Sequence, residues 1–182
     1  MKSNAIKAVV VLATVLLFLV SIYVPPGGAA PKAADNGDLK RLVANLHWLG
    51  HDAFRIDADG LVIYIDPFML KPGLPKADLI LITHEHMDHN NPGDVAKIMK
   101  EGTIIITVAR GAEKLSGDVR IIKPGEEMTV RGIPIRAVPA YNTNKFRSPG
   151  VPFHPRELGY VGYLITVGGV TIYHAGDSDF IP

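Results

Sequence analysis

The sequence predicts an α/β sandwich, in which two β-sheets pack face to face and helices lie outside them. Three observations predict this class. Segments with strand-like alternation open the folded part, a strand–helix–strand passage follows, and several short strands then succeed one another. The chain has 182 residues, which is enough for one such domain.

The first strands are predicted from their apolar patterns. Residues 42–49 and 53–56 alternate apolar and polar side chains around a turn at 50–52, which is typical of a hairpin. Residues 61–65 are apolar and β-branched, so they predict the next strand. Residues 79–83 are continuously apolar, which indicates a strand that is covered on both faces.

The second half of the chain begins with a helix signal. Asn91 is expected as the N-cap and Pro92 as the first residue of a helix to about residue 100. Residues 142–158 are polar and Pro-rich, and a long irregular segment of this kind is more often functional than idle. The remaining elements are a short helix over residues 110–115 and strands over residues 103–108, 119–122, 128–130, 133–138, 160–167 and 170–173.

The N-terminal 30 residues have a different character from the rest. Lys2 and Lys7 precede an apolar stretch over residues 8–24, and prolines, glycines and alanines follow it. This order is typical of a signal peptide or membrane anchor, so we expect an exported protein, anchored in the membrane by a hydrophobic helix over 8–24 if uncleaved. Residues 31–38 are interpreted as a linker and 39–182 as the folded domain.

Composition excludes several classes of function. The 19 Lys and Arg residues nearly balance the 18 Asp and Glu residues, which argues against a nucleic-acid-binding protein. The chain has no cysteine, which excludes disulfides, thiolate metal ligands and a cysteine nucleophile. The sequence also has no nucleophile-elbow pattern. Any metal must therefore be held by histidine, carboxylate or amide ligands.

The densest chemical signal is His84-Glu85-His86-Met87-Asp88-His89, directly after the apolar run 79–83. In an extended segment alternate residues point the same way, so His84 and His86 can share a metal, whereas on a helix they could not. His89 then approaches from another direction after a turn. By this chain's composition, His-x-His-x-Asp-His arises by chance in roughly one such sequence in a thousand.

The donor types indicate which metals fit. Imidazole nitrogen and carboxylate oxygen suit Zn²⁺, Mn²⁺ or Fe²⁺. A helical His-Glu-x-x-His zinc-protease motif is excluded, because Asp88 stands where its second histidine would be. We therefore predict a loop at the end of a strand that holds ligands for two adjacent metals.

The His-x-His-x-Asp-His pattern resembles the signature of the metallo-β-lactamase-fold superfamily. Asp66 at a strand end and the segment 173–178, Tyr-His-Ala-Gly-Asp-Ser, agree with that resemblance. Residues 48–54, Trp-Leu-Gly-His-Asp-Ala-Phe, and 65–68, Ile-Asp-Pro-Phe, are similar to the branch that contains ascorbate-6-phosphate lactonase. The resemblance covers about residues 42–182 and implies the superfamily's αββα sandwich, incomplete at its C-terminal side.

The resemblance also implies roles for individual residues. His84 and His86 would help to hold one metal, Asp88 and His89 the other, and Asp177 would bridge the two. A hydroxide bound by the metals would be the nucleophile, with Asp88 orienting it. Asp66 would fix a ligand histidine or the loop.

Two positions depart from the superfamily's pattern. The place of the third metal-site histidine, after residues 133–138, has none, so either His154 or the amide oxygen of Asn142 is the candidate there. A last ligand histidine would follow Asp177 by many residues, so we expect the chain to be the first part of a longer reading frame. His51 could face the metal cleft, but it is interpreted as a structural histidine that is hydrogen-bonded to the backbone. His174 is interpreted as a structural histidine or one that supports a ligand.

The resulting functional prediction is a metal-dependent hydrolase that cleaves a lactone, a phosphodiester or a related ester. Two Zn²⁺ ions are expected, with Mn²⁺ or Fe²⁺ as alternatives. The substrate is expected to be a small molecule that can be anionic, with Arg147, Lys145 and Tyr141 as candidate contacts. The alternative is a non-catalytic or inactive domain of the same fold.

Overall fold

The protein, described by a computed structural model over residues 9–12 and 35–181, is a sheet-rich α/β sandwich with few helices. This confirms the predicted fold class. Its elements are β1 Val9–Leu12, α1 Asn36–Ala44, β2 Leu46–Gly50, β3 Ala53–Ala58, β4 Leu61–Ile65, β5 Leu79–Ile82, α2 Pro92–Ile98, β6 Ile104–Thr107, α3 Ala109–Ala112, β7 Asp118–Ile121, β8 Glu127–Val130, β9 Ile133–Pro139, β10 Phe146–Ser148, β11 Val151–Pro152, a 3₁₀ turn Arg156–Leu158, β12 Val161–Val167 and β13 Val170–His174.

These strands form two large sheets and one hairpin. Within the described residues, one sheet has six strands in the order β2-β3-β4-β5-β6-β7 and the other has five in the order β1-β13-β12-β9-β8. The strands β10 and β11 pair with each other.

The six-stranded sheet changes direction part way across. β2, β3 and β4 are antiparallel neighbours, whereas β4, β5, β6 and β7 run parallel to one another. Parallel strands place their carboxyl ends at one edge of the sheet, which is where ligand sites form in α/β folds. Asp66 follows β4 and His84 follows β5 at this edge.

The two sheets enclose one apolar core. Ile63 and Leu81 of the six-stranded sheet and Ile135 and Ile165 of the five-stranded sheet are buried in it. Tyr163 crosses this core, and its hydroxyl donates to the carbonyl oxygen of Ile82 at 2.9 Å. A second apolar cluster lies on the other face of the six-stranded sheet, where it packs against α2.

The N-terminal part of the domain differs from the prediction in one element. The predicted strand over residues 42–49 is wrong in its first half, because Asn36–Ala44 form α1 and only Leu46–Gly50 form a strand. Residues 36–38, at the end of the expected linker 31–38, form the first turn of α1. The reason is a capping box, in which Asp35 accepts from the amides of Gly37 and Asp38, and Asp38 accepts from the amide of Asp35.

The apolar segment 8–24 lies largely outside the described residues. Its described part, Val9–Leu12, is a strand parallel to β13, where a hydrophobic helix was expected. A β-branched, Val-rich segment suits the otherwise open edge of β13, whose unpaired backbone groups it satisfies. Among the described residues, no helix combines the length and the apolar character needed to cross a membrane.

The segment 142–158 has little regular structure, as its composition indicates. It contains the two-stranded hairpin β10–β11 and one 3₁₀ turn. Asp179 ties the start of the segment down, because its carboxylate accepts from the amides of Thr143 and Asn144 at 2.7 and 2.8 Å. The segment therefore has a defined path over the sheet edge that carries His84.

Candidate metal centre

Three imidazoles converge at the carboxyl end of β5. His84 Nε2 lies 3.1 Å from His86 Nδ1, and His154 Nε2 lies 3.1 Å from the same atom. A tetrahedral zinc site with Zn–N bonds of about 2.0–2.1 Å separates its ligand nitrogens by about 3.3 Å. The three nitrogens are thus spaced as ligands of one cation would be. His154 reaches them from the segment 142–158.

The outer ring nitrogens of these histidines are held by hydrogen bonds. The hydroxyl of Thr83 lies 2.9 Å from His84 Nδ1 and itself donates to Asp66, so it accepts the Nδ1 proton. Asn142 Oδ1 accepts from His154 Nδ1 at 2.7 Å. Both arrangements leave Nε2 unprotonated toward the centre of the group, as a metal ligand requires. The structure thus places Asn142 behind His154.

A fully buried carboxylate lies behind the site. Asp66 Oδ1 accepts from the amide of Thr83, and its Oδ2 lies 2.8 Å from His89 Nδ1 and 3.1 Å from His174 Nε2. Burial opposes its charge, but His89 and His174 more than compensate and hold the pKa of Asp66 well below its usual range. Asp66 is therefore ionised and orients His89, as the resemblance implies.

Asp177 lies between the two halves of the histidine cluster. Its Oδ1 is 3.1 Å from His89 Nε2, and its Oδ2 is 3.3 Å from His154 Nε2. The preceding residue, Gly176, allows Asp177 to come this close to the histidines. Gly176 has φ +57°, and a Cβ at this position would lie 3.1 Å from the Thr83 side chain. One carboxylate thus faces both groups of nitrogens, which is the position of a bridging ligand.

The electrostatics of the cluster fit a cation. Burial, reinforced by His89, lowers the pKa of His84 to about 3, so its imidazole is neutral and able to ligate. Burial also lowers the pKa of His89, but Asp66 and Asp177 outweigh it and raise that pKa to about 11. His89 Nε2 is buried and lies 3.1 Å from the Asp177 carboxylate. A bound divalent cation would take the place of the proton on this nitrogen.

A second group of possible ligands lies beside the first. His51, Asp88 and His89 each offer one ligand atom, and these atoms lie within 4.8 Å of one another. His51 Nε2 is 3.5 Å from Asp88 Oδ2. The sequence assigned His51 a structural role with a backbone hydrogen bond, but in the described residues its ring has none. The signal available in the sequence was the resemblance of residues 48–54 to the lactonase-containing branch.

An aromatic side chain covers the triad of His84, His86 and His154. The ring of Tyr160 lies 5.0 Å from that of His84, and its hydroxyl donates to Glu85 Oε1 at 2.7 Å. Arg110 Nε lies 2.8 Å from the same oxygen. Burial, followed by Glu85, raises the pKa of Tyr160, so the phenol stays protonated. No pattern in the sequence predicted these contacts.

The predicted substrate contacts lie around the mouth of the site. Lys145 Nζ is 3.3 Å from Asp179 Oδ1, so its charge is directed into the base of the segment 142–158. Tyr141 is partly buried beneath the guanidinium of Arg156, which lies 5.2 Å from its ring centre. Arg147 on β10 is exposed, and within residues 35–181 no carboxylate forms an ion pair with it. Arg147 is therefore the predicted contact whose charge remains available to an anionic group.

Comparison with known proteins agrees with this fold. A beta-lactamase superfamily domain matches residues 45–181, and the chain belongs to that superfamily. It is 31% identical over 134 residues to a UPF0173 metal-dependent hydrolase of Methanoculleus marisnigri, a match that spans 73% of the chain and 58% of the relative.

Two solved structures are similar to the chain. A Parabacteroides distasonis protein assigned as a metal-dependent hydrolase is 35% identical, with a TM-score of 0.66 over 75% of this chain and 62% of that one. Igni18, a metallo hydrolase from Ignicoccus hospitalis, is 28% identical, with a TM-score of 0.54 over 75% and 61%. The chain thus spans about three-fifths of the length of these proteins.

The role of Asp66 can be tested by Asp66→Asn, which keeps the shape and removes the charge. The new amide places a donor against ring nitrogens that also donate, so we expect the free energy of unfolding to fall by about 1–3 kcal/mol. Urea unfolding of the metal-free protein measures this change. Asp118→Asn, at an exposed aspartate, should stay within about 0.5 kcal/mol of the parent, and equal stability of all three proteins would contradict the assigned role.

Proposed function

We propose that the protein is a metal-dependent hydrolase that binds two divalent cations, zinc in the first instance, and cleaves a lactone, a phosphodiester or a related ester. The observation that carries the proposal is the convergence of three imidazole nitrogens at one point. A carboxylate lies beside them and also faces the nitrogen of a fourth imidazole. The names of its relatives support the reaction class. The similarity of residues 48–54 and 65–68 to the lactonase-containing branch favours an ester or lactone substrate.

The roles of the residues follow from their positions. His84, His86 and His154 would hold one cation, Asp88 and His89 would hold the second, and Asp177 would face both. Two cations about 3.5–4 Å apart would lower the pKa of a bound water. They would also stabilise the negative charge that develops on an attacked carbonyl or phosphoryl group. Asp88, half exposed at the mouth, is placed to accept a proton and to orient the attacking oxygen.

Metal content tests the core of the proposal. We expect about two zinc or manganese ions per chain by inductively coupled plasma mass spectrometry, because the site offers two ligand groups. Chelation should abolish ester hydrolysis, and re-addition of the metal should restore it. His84→Ala or Asp177→Ala should lower kcat/KM by about 100-fold or more, since metal catalysis supplies several kcal/mol.

A matched control is available for the histidine substitutions. His47 lies on β2 outside the cluster, where its Nε2 is 3.2 Å from Asp57, so His47→Ala should leave metal content and activity unchanged. A protein that folds but binds no metal would overturn the proposal and favour a non-catalytic domain.

The charge near the mouth bears on the substrate class. Arg147 is exposed on β10, whereas Lys145 is engaged by Asp179. The guanidinium of Arg147 can donate two hydrogen bonds to the oxygens of a phosphodiester or carboxylate group. We therefore propose a small anionic substrate with Arg147 as its principal cationic contact.

Arg147→Ala should raise KM for an anionic phosphodiester by about tenfold, because a charge-assisted hydrogen bond contributes about 1.5–3 kcal/mol. KM for a neutral lactone should change little. Steady-state kinetics with bis(p-nitrophenyl) phosphate and a γ-lactone measures both effects. Arg120→Ala, at an exposed arginine paired with Asp118, is the control. Equal effects of Arg147→Ala on both substrates would contradict a charge-based role.

We also propose that the protein is exported and remains membrane-anchored or is released after cleavage, and that nucleic acid is not its substrate. The support is the sequence of the first 30 residues, in which Lys2 and Lys7 precede the apolar stretch 8–24. Fractionation of cells that express the full chain should find it outside the cytoplasm, whereas a chain that starts at residue 31 should stay inside. Recovery of both chains from the cytoplasm would contradict export.

A further inference from the structure

The second group of ligand atoms contains one residue to which neither the superfamily pattern nor the sequence assigned a metal. His51 lies in the turn between β2 and β3, far along the chain from Asp88 and His89. The resemblance placed the second metal on Asp88, His89 and Asp177, with a last histidine from beyond residue 182. The described residues already bring another imidazole to that position.

The backbone of the turn aims the His51 side chain at the site. His51 has φ +51°, a left-handed conformation that non-glycine residues adopt at a cost of about 1–3 kcal/mol. The indole N–H of Trp48 donates to the carbonyl oxygen of His51 at 2.8 Å and holds this conformation. A strained backbone that is fixed by a neighbour is typical of a residue whose side chain is placed for function.

The surroundings of the ring lead to the same point. The His51 ring lies 5.3 Å from that of His89 and 5.6 Å from that of Phe68, edge-on in both cases. Its Nε2 faces Asp88 Oδ2 at 3.5 Å, which exceeds a hydrogen bond but suits two ligands of one cation. His89 contributes a fully buried side chain whose Nε2 lies 3.1 Å from Asp177 Oδ1, the carboxylate that faces both groups of nitrogens.

We infer that His51 is a ligand of the second metal, together with Asp88, His89 and the bridging Asp177. The inference rests on the proposed two-metal site and deepens it, because it completes the second coordination group within residues 35–181. Two imidazole and two carboxylate donors suit Zn²⁺ or Fe²⁺, which bind mixed nitrogen and oxygen ligands. The set joins a β2–β3 turn, a β5 loop and the β13 end around one cation.

Metal stoichiometry gives the first test. His51→Ala should lower bound zinc from about two to about one per chain, or weaken the second zinc by at least about tenfold in titrations with a competing chelator. His47→Ala, on the adjacent strand and outside the cluster, should bind as the parent does. Unchanged stoichiometry and affinity in His51→Ala would overturn the inference while leaving the two-metal proposal intact. Absence of metal from the parent protein would overturn the proposal itself.

A spectroscopic variant separates direct ligation from an indirect effect. The chain has no cysteine, so His51→Cys introduces its sole thiol. In the Co²⁺-substituted protein a thiolate bound to the metal gives an intense near-ultraviolet charge-transfer band, and we expect this band in His51→Cys but not in His47→Cys. Loss of the second metal in His51→Ala without the band would show that His51 acts only by positioning Asp88, and would overturn direct ligation. If His51→Ala fails to fold, the His51→Cys spectrum decides the question alone.

Discussion

The buried carboxylate of Asp66 is the interaction on which the site depends. It receives the amide and hydroxyl of Thr83 after β5, the ring of His89 from the following loop and the ring of His174 at the end of β13. These donors come from both sheets, so one side chain fixes the relative position of the elements that supply ligands. Its ionised state also requires a proton on His89 Nδ1, which leaves Nε2 for a metal.

Asn142 positions His154, the candidate ligand that is most distant in sequence from residues 84–89. Its Oδ1 accepts from both the backbone amide and the ring of His154, and its side-chain amide donates to the carbonyl of Asp177. One amide therefore positions the third imidazole and the bridging carboxylate together. The segment 142–158 can remain largely irregular because its ends are held by Asn142 and Asp179, while the hairpin between them stays open to solvent.

Local patterns in the sequence predicted most strands and the cluster 84–89, because alternation and ligand spacing are properties of short segments. The helix α1 was missed since residues 42–49 alternate well enough to suggest a strand, while the decisive signal was the cap at Asp35. The choice between His154 and Asn142 could not be made from spacing, since His154 and His86 lie 68 positions apart and meet only through the fold. His51 was assigned a structural role for the same reason.

The two proposed metal positions differ in their exposure to water, and this difference suggests a division of labour. His84 and His154 are buried, and hydrogen bonds fix their ring nitrogens. His51 and Asp88 retain 43% and 44% of their side-chain exposure, so a cation held by them would keep access to solvent. The buried group around His84 and His154 would hold its cation firmly. The exposed group around His51 and Asp88 would let water and substrate exchange. A catalytic pair needs both properties, because a closed site excludes substrate and an open one holds its metal weakly.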